Sequence, residues 1–248
     1  MGEKHDSVGT ARAPACPVPG EKFALAQNFL LFSGVSPADY ATILSSGHEK
    51  HLSRRQPLFS IGDPVGQIFL LLSGTIKITQ VGAKGTEIIL RLSGTGDLVG
   101  SVALWPECKH NSSAQALQPC SALVWDSPTF TRLLEHFATL RRNIFQVFEE
   151  RLHETEQRLR EISTEDVASR LSSELIRIST RLRYGADGNE EVRLSHTDLA
   201  QLTGTTLSTV SRLLSRWHKL GIISVGRAGV QIRNIAALEQ LSQSDETD

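Results

Sequence analysis

Cysteine is scarce in this chain: only Cys16, Cys108 and Cys120 occur among 248 residues. Three thiols cannot build a disulfide scaffold, and they suit a reducing compartment. No apolar run approaches the ~20 residues that a membrane-spanning helix requires. The first residues carry Pro14, Pro17 and Pro19 with few large apolar side chains. They hold no apolar core of signal-peptide length and predict a flexible tail over 1–22. An excess of one charge is also lacking, since 26 Lys and Arg face 27 Asp and Glu for a formal net charge of −1. That excludes a protein coating nucleic acid by bulk charge and leaves room for a local basic face. A Walker-type phosphate loop, a Gly-x-Ser-x-Gly elbow and the His-x-His cluster of metal-dependent jelly rolls are all missing. Neither catalysis nor a metal site is expected, and His48 and His51 are not read as ligands. A cytoplasmic protein with no membrane contact is the first expectation.

What is present falls into blocks. Hydrophobic residues make up 40% of the chain, enough for folded domains. Over 23–126 the pattern gives short N-terminal helices, one of them opened by Ser36 as cap with Pro37 in its first turn. Short apolar runs then alternate with Gly, Pro and Asp, and Ile76-Lys77-Ile78-Thr79 alternates with period two. Strands with regular turn signals predict an antiparallel barrel or jelly roll. Its core is assigned to Leu58, Phe59, Ile68, Leu70, Leu72, Ile76, Ile78, Ile88 and Leu90.

Over 127–163 the spacing turns helical and predicts one helix of about 45 Å. Its apolar stripe, including Phe137, Leu140, Ile144, Val147 and Phe148, either packs on its own barrel or meets a symmetry mate. The stretch from Glu149 to Arg160 runs beyond plausible barrel contact, which favours a homodimer.

Residues 164–240 form a third block, followed by a tail over 241–248. Ser195-His196-Thr197-Asp198 has the spacing of a capping box. A short helix follows to Gly204, and Thr206 caps a second one that runs to about Leu220. Val210, Leu213, Leu214, Trp217 and Leu220 make the inner face of that helix; Leu207, Ser208, Ser211, Arg212 and Ser215 make its outer face. This is a helix-turn-helix pattern, whose second helix enters the major groove of double-stranded DNA. From Leu199 to Leu238 no Asp or Glu occurs, while Arg212, Arg216, Lys219, Arg227 and Arg233 do. Uncompensated positive charge on one element suits phosphate contact. The segment from Ile222 to Arg233 reads as a hairpin wing carrying Arg227.

The segments LLLSGTIKI, GDLVG and LAQLTGTTLSTVSRLLSRWHKLGII, in this order around a long helix, resemble the cAMP receptor protein / fumarate–nitrate regulator (Crp/Fnr) superfamily of bacterial transcription regulators. The resemblance implies an α+β chain with an N-terminal cyclic-nucleotide-binding-type β jelly roll, a long dimerisation helix and a C-terminal winged helix-turn-helix. It further implies a homodimer on a roughly palindromic promoter site that contacts RNA polymerase. By the same resemblance Thr206, Leu207, Ser208, Ser211, Arg212, Arg216, Lys219 and Arg227 would lie on DNA. Arg212 would read guanine, and Arg216, Lys219 and Arg227 would hold phosphates.

An effector pocket would involve Gly100, Ser101, His110, Ser112 and Ser113. Relatives that bind cAMP carry a Glu after the GDLVG-like segment and an Arg-Ser pair further on; here Ser101 and the run from His110 to Ala114 stand in those places. Without the guanidinium a buried phosphate lacks its charge-assisted partner, so cAMP is not expected. A self-contained four-thiolate iron–sulfur cluster is excluded by the number of cysteines. Cys108 and His110 are candidate haem ligands, Cys108 and Cys120 candidate redox thiols, and an unidentified small effector is a further candidate. The alternative is an effector-independent regulator whose jelly roll is structural.

Overall fold

The structure is a computed structural model that describes residues 26–83, 85–101, 107–182, 191–192, 194–226 and 229–243. The expected tail over 1–22, the end of the C-terminal tail, and Arg227 lie outside these residues.

A 3-10 turn at Leu30–Phe32 precedes helix α1 (Pro37–Ser45), where Ser36 accepts the Asp39 N–H as the cap expected from the sequence. Strands β1 (His48–Leu52), β2 (Pro57–Phe59), β3 (Gln67–Ser73), β4 (Ile76–Val81), β5 (Glu87–Ser93), β6 (Leu98–Val99), β7 (Ser113–Ala116) and β8 (Cys120–Asp126) follow. They pair into two antiparallel four-stranded sheets, ordered β1-β8-β3-β6 and β2-β7-β4-β5. This is the expected jelly roll.

The period-two alternation of β3 and β8 separates two cores. Phe69, Leu71, Ala122 and Val124 point into the roll with Phe59, Ile76 and Ile78. Ile68, Leu70, Leu72, Leu123 and Trp125 point the other way, under a helical layer contributed by Leu31, Tyr40, Ile43, Phe130, Leu140 and Ile144. Both faces of β8 are covered, so its first six residues are all buried. The core expected from the sequence is therefore two cores rather than one.

Ile88 and Leu90 do not belong to either. They are exposed, and Ile89 and Leu92 are buried instead. A bulge explains this: Ile78 pairs with Arg91 and Thr79 with Ile89, which leaves Leu90 as the extra residue. The bulge brings Glu87, Ile89 and Leu92 onto one outer face. That face is covered by the C-terminal domain, whose core of Leu171, Leu175, Leu199, Leu214 and Trp217 is continuous with Ile89 and Leu92.

The predicted single helix is two. Helix α2 (Ser127–His136) is capped by Asp126 and separated from α3 (Ala138–Thr164) by Phe137, which has extended backbone angles. The C-terminal domain comprises α4 (Val167–Leu182), β9 (Glu191–Val192), α5 (His196–Thr203), α6 (Leu207–Lys219), β10 (Ile223–Val225), β11 (Val230–Ile232) and α7 (Ile235–Gln243). Helix α7 thus extends three residues into the stretch expected to be tail. Strands β9, β10 and β11 make a small antiparallel sheet, in the order β10-β11-β9. No helix of the described residues is long and apolar enough to cross a membrane.

Candidate nucleic-acid interface

The local sequence builds the α5–α6 pair. Ser195 and Asp198 form the capping box, each side chain accepting the other's backbone N–H at 3.1 Å. Gly204 ends α5 with φ +64°, a left-handed conformation that lets the chain turn at once. Thr206 then caps α6 by accepting the Thr209 N–H at 3.2 Å. Val210, Leu213, Leu214 and Trp217 are buried against α4 and α5, as the spacing predicts, whereas Leu220 is exposed.

The opposite face of α6 presents Leu207, Ser208, Arg212, Ser215, Arg216 and Lys219 to solvent. Arg216, His218 and Lys219 lie in the last turn, where cations complement the negative end of the helix dipole. Two hydroxyls of the expected base-reading set are already occupied. Ser211 is half-buried, and its Oγ pairs with His196 Nδ1 at 3.1 Å across the two helices. Ser208 Oγ lies 2.9 Å from Thr206 Oγ1. Thr206 itself serves as cap. Arg212, by contrast, projects from the exposed face. In the wing, Arg233 Nε donates to Ser224 Oγ at 3.2 Å, which ties that arginine to the hairpin.

Residues 49–137 match the cyclic nucleotide-binding domain family, and residues 154–241 match the Crp-like helix-turn-helix domain family. The chain is 28% identical over 212 residues to the Cyclic AMP receptor protein of Thermus thermophilus, covering 86% of this chain and 96% of that protein. It is 31% identical over 198 residues to the Fumarate and nitrate reduction regulatory protein of Yersinia pestis, covering 78% of each. The structure of FixK2 from Bradyrhizobium japonicum superposes with a TM-score of 0.70 at 19% identity, over 80% of this chain and 98% of that one.

The chain belongs to the Crp/Fnr family. Crp/Fnr proteins are DNA-binding transcription regulators, not enzymes.

The residues expected at an effector pocket are divided between the two sheets. Gly100 follows β6, with φ +112°, and a Cβ there would meet the Gln67 carbonyl at 3.0 Å, so the close approach of β3 explains the glycine. Ser113 begins β7 in the other sheet, where its Oγ accepts the Ile61 N–H at 3.0 Å. Ser112 is half-buried beside it, and Ser101 follows Gly100 at the end of the described segment. His110 is 4% exposed and stacks face to face on Phe59, with centroids 3.6 Å apart. Burial pulls its imidazole below the ordinary range, against an opposing pull from Asp63. As placed, His110 packs the roll. Cys108 is half-buried, and Cys120 is buried with its thiol pushed up by desolvation. Among the described residues no cluster of three or more His, Cys, Asp or Glu could hold a metal.

The residues expected at a dimer seam are not on the free face of α3. Leu140 and Ile144 are 0% and 3% exposed in the protomer's own core, and Phe137, Val147 and Phe148 pack against the same core. The break at Phe137 and packing on the roll divide the apolar stripe into a side facing the roll and a side facing away. The free apolar residues are Phe145, Leu152, Leu159 and Ile162, each more than half exposed. Phe145, Leu152 and Leu159 recur at seven-residue intervals, a spacing visible in the sequence that would have found them.

Proposed function

We propose that the protein is a cytoplasmic transcription regulator acting as a homodimer on a roughly two-fold symmetric promoter site. The dimer is joined along α3, with Phe145, Leu152 and Leu159 in the a positions of a short coiled coil and Ile162 in a d position. A parallel pair of these helices sets two copies of α6 on successive major grooves. Arg212 reads a guanine in each half-site through O6 and N7, while Arg216 and Lys219 contact phosphates. RNA polymerase is the protein partner, as is usual for regulators that act at promoters.

The observation that carries this reading is the exposed face of α6, where Arg212, with no ion-pair or hydrogen-bond partner among the described residues, stands beside residues too short to compete for the same base. Binding selections on randomised half-sites test it. The wild-type protein should select an inverted repeat with an invariant guanine. Arg212→Ala should cost about 1–3 kcal/mol per half-site and lose that guanine. A variant that is weaker yet equally selective at every base would assign Arg212 to phosphate and overturn the reading.

A second reading concerns control. In the first, a small molecule, haem-bound gas or thiol oxidation acts at the roll. In the second, DNA binding needs no effector, and the roll is a structural and dimerising module. The stacked His110 and the bonded Ser113 favour the second, because both side chains take part in the packing of the roll itself. Native mass spectrometry and an absorption spectrum of freshly purified protein decide between them. A bound mass or a Soret band would restore the first.

A further inference from the structure

Leu207 is the first residue of α6 and is 49% exposed. Core packing does not account for it, since Val210, Leu213, Leu214 and Trp217 already fill the buried stripe of that helix. Residues 207 and 211 form one row on the outer face, and residues 208 and 212 form the next. Leu207 is thus the one large apolar group on a face otherwise made of serines, arginines and Lys219. Its hydroxyl neighbours are tied back, Ser208 toward Thr206 and Ser211 toward His196. In the major groove the apolar feature of a base edge is the C5 methyl of thymine.

We propose that Leu207 is a specificity-determining residue that selects a thymine through its methyl group. This inference rests on the α6 face lying in the major groove, as in the reading above. Five residues of helix rise separate Leu207 from Arg212, about 7.5 Å, which is roughly two base-pair steps of 3.4 Å. The thymine therefore lies within about two steps of the guanine read by Arg212. Desolvating one methyl contributes ~0.8 kcal/mol, about fourfold in affinity per half-site and about fifteenfold for both.

The test uses full-length protein and a duplex carrying the selected inverted repeat, measured by fluorescence anisotropy. Deoxyuridine replaces thymine at each candidate position in both half-sites and removes only the methyl. In parallel, 7-deazaguanine replaces the guanine and removes only N7. Wild type should lose about fifteenfold at one deoxyuridine position, and Leu207→Ala should bind the thymine and deoxyuridine duplexes equally. Wild type indifferent to every deoxyuridine, or a Leu207→Ala protein that keeps the methyl preference, overturns the assignment. If deazaguanine weakens wild-type binding while deoxyuridine does not, the assignment of Leu207 fails alone. If neither substitution matters, or no sequence is selected, the groove reading fails and takes this inference with it.

Discussion

The guanidinium of Arg177 closes on the carboxylate of Glu161 with two hydrogen bonds, 2.6 and 2.8 Å long. Arg177 belongs to the DNA-binding domain and Glu161 to the end of α3, so this pair fastens the domain to the proposed dimer helix. Arg177 also donates to Glu174 at 2.8 and 3.1 Å, and Glu174 pairs with Arg158 at 2.9 Å. Arg158 in turn donates to the carbonyl of Leu90, the bulged residue of β5. One chain of contacts therefore runs from the roll through α3 into α4. Burial pushes the Glu161 carboxyl up, but the bonds and charge of Arg177 more than offset this and leave it below its ordinary value.

The sign of the resulting pH dependence follows. A depressed folded-state pKa makes ionised Glu161 stabilising at pH above its unfolded value, and that contribution disappears as pH falls through the folded value. Thermal melts below about pH 5 should therefore decline less steeply in Glu161→Gln than in wild type. Arg177→Ala leaves Glu161 buried without its bidentate partner, and Glu174 with Arg158 alone, and should destabilise by about 3–5 kcal/mol near neutral pH. Equal acid slopes in the two proteins would show that Glu161 is not the coupled group.

The free stripe of α3 makes a second expectation. Phe145→Asp with Leu152→Asp should give a folded monomer by sedimentation equilibrium, because the charges would be buried only in the dimer. Leu140→Asp with Ile144→Asp should unfold the roll, since those side chains lie in its own core. A folded Phe145/Leu152 double variant that still sediments as a dimer would place the seam elsewhere.

Local chemistry was legible in the sequence wherever a single segment specifies it. Ser36, Ser195 and Thr206 cap the helices they were expected to cap, and Gly204 turns where a left-handed residue was needed. The roll and the inner face of α6 also follow from period two and period 3.6. Facts that depend on two distant segments were not legible. The bulge at Leu90 shifts strand parity and sends Ile89 outward, which no alternation count reveals. The pairing of Ser211 with His196 requires the angle between α5 and α6. Both sides of α3 are apolar, and only packing on the roll shows which one is free.

Ser211 offers a sharper separation of roles. Its Oγ pairs with His196 Nδ1 across the two helices, the contact expected of a fastening between them. Ser211→Ala should lower stability by about 0.5–1.5 kcal/mol in urea titrations and leave the selected half-site unchanged. A variant of wild-type stability that relaxes one base position would return Ser211 to the reading set.

The last prediction concerns the seat of the DNA-binding domain on the roll. Lys77 Nζ lies 3.5 Å from Glu87 and 3.9 Å from Asp198, and Gln201 donates to Glu87 at 3.1 Å. These polar contacts flank Ile89, which is 3% exposed and continuous with the core of the C-terminal domain. Because the bulge turns Ile89 away from the interior of the roll, its substitution spares the roll itself. Ile89→Asp would place an unpaired carboxylate in an apolar seat, and separation of the domains is the cheapest way to hydrate it. The two domains share one continuous core in the wild type, so their unfolding should be cooperative in calorimetry. In Ile89→Asp the single transition should split in two, one for the roll with α3 and one for the DNA-binding domain. Proteolysis should meanwhile begin at Glu165 and Asp166, between α3 and α4. A variant that melts in one transition and resists cleavage there would show that the linkage through Glu161 and Arg177 is enough to join the domains.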